Sequence, residues 1–201
     1  MKGSLIIVGF FVLGTICGVC HLLPFDIAET NISYYALCAL MFSVGLSVGN
    51  DPQTLKNFRS LNPRLVFLPV MTILGTLAGS AAVSLILTHR SITDCLAVGS
   101  GFGYYSLSSI FITEYKGAEL GTIALLANIS REILTLLAAP LLVRWFGNLA
   151  PISAGGATTM DTTLPIITRT AGQQFVVVSI FHGFVVDFSV PFLVTFLCSI
   201  S

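Results

Sequence analysis

The chain has 201 residues and zero formal net charge, with 55% hydrophobic and only 9% charged residues and a mean hydropathy of +0.94. An ordinary soluble domain carries about 25% charged residues, so this material cannot coat a soluble surface, whereas helices in lipid satisfy their own backbone and need no coat. Zero net charge also excludes a basic field for nucleic acid.

Spanning helices need about 20 apolar residues. In chain order the continuous candidates are Ser4–Leu23, Tyr34–Val48, Arg64–Thr88, Gly117–Phe146 and Gln173–Ile200. Lys2 before the first run suggests a signal peptide, but no A-x-A-like site follows it. Lys2 and the loop residues Lys56, Arg59 and Arg64 place the N-terminus and the Asn50–Pro63 loop in the cytoplasm by the positive-inside rule. The cysteines Cys17, Cys20, Cys38, Cys95 and Cys198 all lie in or beside apolar runs, where they act as small hydrophobes. Cys17 and Cys20 have C-x-x-C spacing, but no second pair completes a metal site.

Two stretches do not read as continuous helix. Residues 92–115 are interrupted by Gly99-Ser100-Gly101-Phe102-Gly103, and residues 148–170 by Gly155-Gly156 and Pro165. Glycine costs about 1 kcal/mol and proline about 3 kcal/mol inside a helix, so both stretches are expected to break. Unwound backbone survives at membrane depth only beside a cavity or other protein, which makes such breaks pointers to a binding site. Whether each break crosses the membrane or re-enters is undecided, because the count of basic residues per side is the same either way. The pairs Gly14/Gly18 and Gly75/Gly79 have the spacing that lets helices approach closely.

Ionisable groups inside spans are functional candidates by default. Asn128, Arg131, Glu132 and Thr135 fall on one stripe of the Gly117–Phe146 helix with Gly121 and Ala124, and that stripe looks into the bundle. Arg131 and Glu132 are about 100° apart, so each needs its own partner, a side chain or a ligand. Asp161 lies between the double glycine and Pro165. Thr158 and Asp161 have the spacing of a capping box, but a helix starting near Thr162 or Thr163 suits Pro165 better and leaves Asp161 at the cap or in unwound chain. Glu114 is either an interfacial charge or a pore residue, and His182 either a proton group or a hydrogen-bonded core histidine. Asp187 points roughly 140° away from His182, so the two form no couple and are expected to need separate shelter. Ser106, in Gly103-Tyr104-Tyr105-Ser106, lacks the spacing of a hydrolase nucleophile, and no pair of aspartates has an intramembrane protease setting. The chain is not read as an enzyme.

Taken together, Ser100-Gly101-Phe102-Gly103-Tyr104-Tyr105-Ser106-Leu107-Ser108, Thr113-Glu114, Asn128-x-x-Arg131-Glu132, Gly156-Ala157-Thr158-x-Met160-Asp161-x-Thr163-Leu164-Pro165, Arg169-Thr170 and His182-Gly183-Phe184 resemble the lysine exporter family of the LysO type over nearly the whole chain. The resemblance implies a single transporter domain over residues 1–201, exporting L-lysine and close cationic analogues across the bacterial inner (cytoplasmic) membrane. The fold expected is an all-α integral membrane protein, a polytopic bundle of about seven hydrophobic segments, two of them discontinuous or re-entrant. Substrate or proton contacts are expected at Asp161, Glu132, Arg131, Asn128, Glu114, Ser106, Gly101, Gly103, Thr163 and His182. No metal and no organic cofactor is expected. Proton antiport is expected from energetics, since expelling one positive charge against an inside-negative potential costs ~2.3 kcal/mol per 100 mV. Other readings are a transporter of another small or cationic amino acid, or a non-transporting channel or assembly subunit. Full-length family members carry further N-terminal spans, so a separate small membrane protein is expected to supply them, with a homodimer of the pair as a further expectation. Asp187 has no counterpart in the family pattern.

Overall fold

A computed structural model describes residues 13–14, 16–20, 35, 63–87 and 89–200, and divides the chain into a unit Met1–Phe42 and a unit Ser43–Ser201. In the first unit residues 13–14, 16–19 and 35 are helical. Most of the expected span Ser4–Leu23, all but one residue of Tyr34–Val48, and the basic residues Lys2, Lys56 and Arg59 lie outside the described residues. The expected total of about seven segments is therefore not decided.

Every described element of the second unit is helical. A turn at Pro63–Val66 leads into α1 (Leu68–Ser84), followed by α2 (Ile92–Gly99), α3 (Tyr105–Lys116), α4 (Ala118–Phe146), α5 (Ala150–Gly155), a 3-10 turn Gly156–Met160, α6 (Leu164–Ala171), a short 3-10 turn Gln173–Phe175 and α7 (Val176–Ser199). The runs Ala118–Phe146 and Gln173–Ser199, of 29 and 27 residues, are long and apolar enough to cross a membrane. Pro140 and Pro191 lie inside these helices without ending them.

Local chemistry sets the boundaries. The Ser91 side chain caps α2 by accepting from the Asp94 amide at 3.1 Å. The break after α2 depends on left-handed backbone, with φ of 47° at Phe102 and 92° at Gly103. A side chain at Gly103 would be strained, and one at Gly101 would collide with Asn128 and Ser108. In the second stretch α5 passes directly into 3-10 geometry at Gly156, whose φ is 62°. Pro165 sits in the first turn of α6, behind Thr163 as the N-cap residue. The expected start of that helix near Thr162 or Thr163 is thus met. Thr158 caps no helix, because its hydroxyl donates to the Gly155 carbonyl at 2.9 Å.

Each broken stretch folds back on itself. Arg90, just before α2, forms an ion pair with Glu119, just after α3, so the first hairpin starts and finishes at one end of the bundle. Lys116 and Asp94 also act electrostatically on Cys198, which puts the end of α7 there. At the opposite end Ile152, Ile167, Ala171 and Val178 form one apolar cluster with Val143, Leu149 and Phe175. The second hairpin therefore starts and finishes where α4 ends and α7 begins. The unit is built twice over: a hairpin, one left-handed glycine (Gly117, φ 90°; Gly172, φ 113°), and a long helix, with the two long helices antiparallel.

The tips meet in the middle. The Ala157 amide donates to the Phe102 carbonyl at 2.9 Å, and there is no room for a Cβ on Gly156 against that same carbonyl. Close helix approach comes from Gly99 against Ser80, Gly121 against Thr113, and Gly183 against Thr159 and Met160. Gly75 and Gly79, expected to serve that purpose, meet no other described residue within 4 Å, and neither do Gly14 and Gly18. The polarity of the unit is inverted relative to a soluble protein. Asn128, Glu132, Thr135, His182 and Asp187 are buried, while Leu134, Leu137, Phe188, Phe192 and Phe196 are exposed. The Phe184, Phe188 and Phe192 rings follow one another along α7 at centroid spacings of 6.4 and 5.2 Å.

Candidate functional site

Breaking a helix leaves carbonyls and amides without intrahelical partners, and each must be satisfied where water is scarce. The polar stripe on α4 does this for both hairpins. Asn128 is buried; its Oδ1 accepts from the Gly103 amide at 2.8 Å and its Nδ2 donates to the Val98 carbonyl at 3.1 Å. The same Nδ2 donates to the Ala124 carbonyl at 2.9 Å and approaches Ser108 Oγ at 3.5 Å. Arg131 serves the other tip. Its Nε donates to the Ala154 carbonyl at 2.8 Å, Nη2 to the Ser153 carbonyl at 3.0 Å and Nη1 to Thr76 Oγ1 at 3.3 Å, with the guanidinium carbon 5.9 Å from the centre of the Phe102 ring. A cation at the last carbonyls of α5 also complements the negative end of that short helix.

These contacts redirect two of the expected site residues. Both amide atoms of Asn128 and all three guanidinium nitrogens of Arg131 are engaged with protein. Arg131 was expected to take a side chain or a ligand as partner; it takes the Ser153 and Ala154 carbonyls of α5 together with the Thr76 hydroxyl. A groove of about 690 Å³ between α1 and α4, lined by Gly75, Thr76, Ala127, Leu134 and Ser153 among others, runs beside the guanidinium.

His182 is fully buried and bridges three elements. Its Nε2 lies 2.9 Å from Thr72 Oγ1 on α1 and its Nδ1 3.2 Å from Thr159 Oγ1 in the 3-10 turn. Thr159 in turn donates to the Ser179 carbonyl at 2.9 Å. Of the two readings of His182, the geometry is that of a hydrogen-bonded core histidine. Both His182 and Asp187 are buried.

The carboxylates gather at the second tip. Asp161 occupies the unwound residues between the 3-10 turn and α6, with backbone φ −137° and ψ −86°. It is exposed, and its Oδ1 accepts from the Thr162 amide. Glu132, 5% exposed, lies within hydrogen-bonding reach of the Thr162 side chain and within electrostatic range of Asp161. Asp161 thus lies close to Glu132, with Thr162 between them. Tyr104, at the end of the first break, is in electrostatic range of both Asp161 and Asp187. Among the described residues no cationic side chain forms an ion pair with Asp161, Glu132 or Asp187; the one ion pair there is Arg90–Glu119.

Of the remaining expected residues, Gly101, Gly103 and Thr163 are buried in the tips, with Thr163 Oγ1 3.2 Å from Thr158 Oγ1, and Ser106 is half-buried in the first turn of α3. Glu114 is not brought to the tips: it is exposed in the last turn of α3. Sequence reasoning left out Tyr104, Thr162 and Asp187. The last carried a readable signal, because Asp187 is the fifteenth residue after Gly172 as Glu132 is the fifteenth after Gly117. What the tips offer chemically is a set of carboxylates around unwound backbone, with no ion-paired cationic side chain among the described residues.

A family model described as "Lysine exporter LysO" matches residues 8–198. The chain is 37% identical over 193 residues to the protein named "Lysine exporter LysO" of Escherichia coli, covering 96% of this chain and 63% of that one. It is 35% identical over 196 residues to a Haemophilus influenzae protein named as a candidate lysine exporter, covering 98% of this chain and 96% of that one. The chain thus spans less than two thirds of the length of the Escherichia coli relative. No solved structure matches it.

Proposed function

The chain belongs to the lysine exporter LysO family, and from that premise we propose that it exports L-lysine from the bacterial cytoplasm across the inner membrane, through the meeting point of its two hairpins. The observation that carries this reading is the exposed Asp161 beside buried Glu132, at the junction of two unwound tips, with no cationic side chain among the described residues in an ion pair with either. An ε-ammonium supplies the missing charge and three donors. The substrate α-carboxylate finds donors at the start of α3, where Ser106 lies and no side chain caps the first turn. Arg131 and Asn128 hold the tips in shape and do not touch substrate. In this reading both hairpins re-enter the bilayer, one from each face, and the N-terminus is cytoplasmic.

Lysine leaves in exchange for a proton, which cancels the ~2.3 kcal/mol per 100 mV that moving its charge outward would cost. A small membrane protein supplying further helices, and a homodimer of the pair, belong to the same proposal.

Reconstituted protein tests the core of this reading. Lysine efflux from proteoliposomes is expected to saturate with lysine, to respond to an imposed pH gradient, and to disappear in Asp161→Asn at normal membrane abundance. Full efflux by that variant would remove Asp161 from the substrate path.

A further inference from the structure

Asp187 is unusual on several independent counts. It is 5% exposed on α7, and its Oδ1 is, among the described residues, the one fully buried side-chain nitrogen or oxygen without a hydrogen-bond partner. Buried polar atoms are nearly always paired, because an ionised carboxylate without donors in an apolar setting is costly. Asp187 also holds the position on the second long helix that Glu132 holds on the first, counted from the left-handed glycine that opens each helix. Four residues earlier, Gly183 brings α7 against Thr159 and Met160, so the same face of α7 meets the tip that carries Asp161.

Among the described residues, the ionisable side chains that act on it are both acids, Tyr104 from the first break and Asp161 from the second. On the other elements packed against α7, α1 and α5 carry no titratable residue. Asp94, Cys95, Glu114, Tyr115 and Lys116 belong to the outer ends of α2 and α3, and Arg169 to the last turn of α6. Tyr105 opens α3. His182 is committed to Thr72 and Thr159.

We propose that Asp187 is the proton-carrying site of the exchange, separate from the Asp161–Glu132 ammonium site and coupled to it by charge. This rests on the lysine-export reading and adds to it the residue that takes the counter-ion. A proton is the ligand that fits. It needs only one oxygen, whereas a bound metal ion needs several, and no group of three His, Cys, Asp or Glu converges among the described residues. Lysine is too large to reach so buried a carboxyl. With the site empty, Asp187 holds its proton, since ionisation would place a second negative charge near Asp161. An ammonium at Asp161 cancels that repulsion and lets the proton leave, and departure of lysine draws a proton back.

The test uses full-length protein in liposomes, with membrane potential clamped, and two assays. Lysine–lysine counterflow requires no net proton movement, whereas pH-driven accumulation does. A one-unit pH gradient coupled one-to-one gives about a tenfold lysine gradient. Asp187→Asn mimics the protonated acid, so it is expected to keep counterflow within about twofold while its pH-driven ratio falls to about one. Asp187→Glu is expected to keep both. Tenfold accumulation by Asp187→Asn overturns the proposal, as does its loss of counterflow with recovery in Asp187→Glu, which would make the residue a substrate contact. If the variants do not accumulate, proton release on lysine binding to wild-type protein decides: one proton per lysine supports the site, and none overturns it. Absence of lysine counterflow in the wild type sinks the lysine reading itself, a result distinct from all of these.

Discussion

Asn128 and Arg131, three residues apart on α4, each close the end of a different broken helix, Asn128 through Val98 and Gly103 and Arg131 through Ser153 and Ala154. One helix thereby fixes both unwound tips with two side chains. The guanidinium does so with two coplanar nitrogens while its third reaches Thr76, a geometry that a lysine ammonium cannot reproduce.

Arg131→Lys is therefore expected to lower stability rather than lysine affinity. Loss of one or two charge-assisted hydrogen bonds costs about 1.5–3 kcal/mol each. Thermal unfolding in detergent is expected to shift down by several degrees while lysine affinity of the folded fraction stays near wild type. Weakened affinity at unchanged stability would return the guanidinium to the substrate.

Asn128→Leu removes both the acceptor for Gly103 and the donor for Val98. The Gly103 amide loses its partner, worth about 1–3 kcal/mol, while the Val98 carbonyl keeps its bond from the Gly101 amide. Hydrogen exchange should rise at Gly103 before it rises in α4. Uniform exchange throughout would mean that the first tip is held by other contacts.

Gly156→Ala combines an unfavourable φ of 62° with a collision against the Phe102 carbonyl. The two tips must separate to admit the methyl group. Export is expected to fall by at least about tenfold, as sub-ångström misplacement of a site commonly does. By contrast Gly75→Ala, which meets open space in this unit, should be well tolerated unless another helix docks there. Damage from Gly75→Ala that appears only with a co-expressed small membrane protein would locate that partner's contact.

Glu114→Gln is expected to leave export unchanged, because Glu114 is exposed and remote from the tips. A tenfold loss of lysine efflux would place this end of α3 on the transport path.

The breaks themselves were legible. Gly101 and Gly103 mark the first, and Pro165 fixes the start of α6 to within a residue, because proline tolerates only a helix's first turn. The stripe Asn128, Glu132 and Thr135 was equally legible, since helical spacing alone puts these residues on one buried face. The return of each hairpin to its own end was not, because the same glycines permit either path and the basic residues balance both ways. Nor could spacing show that Asn128 and Arg131 serve carbonyls, because backbone partners leave no mark on the sequence. Gly75 and Gly79 show the converse: a small-residue pair permits close approach without supplying a neighbour. The place of Asp187 is legible only against Glu132 on the matching helix, not against His182 on its own.

The left-handed glycines that open the two long helices also leave the chain with almost no slack. Between Tyr105 and Ser199 no connector exceeds three residues, and Gly117 and Gly172 are each a connector of one. Sliding a helix past its neighbour by one turn takes about 5.4 Å, whereas one residue of chain reaches at most ~3.6 Å. The helix pairs joined by Gly117 and by Gly172 therefore cannot ratchet past one another. A change of access between the two faces must carry α3 with α4 and α6 with α7 as one load, or bend at the unwound strands around Phe102 and Asp161.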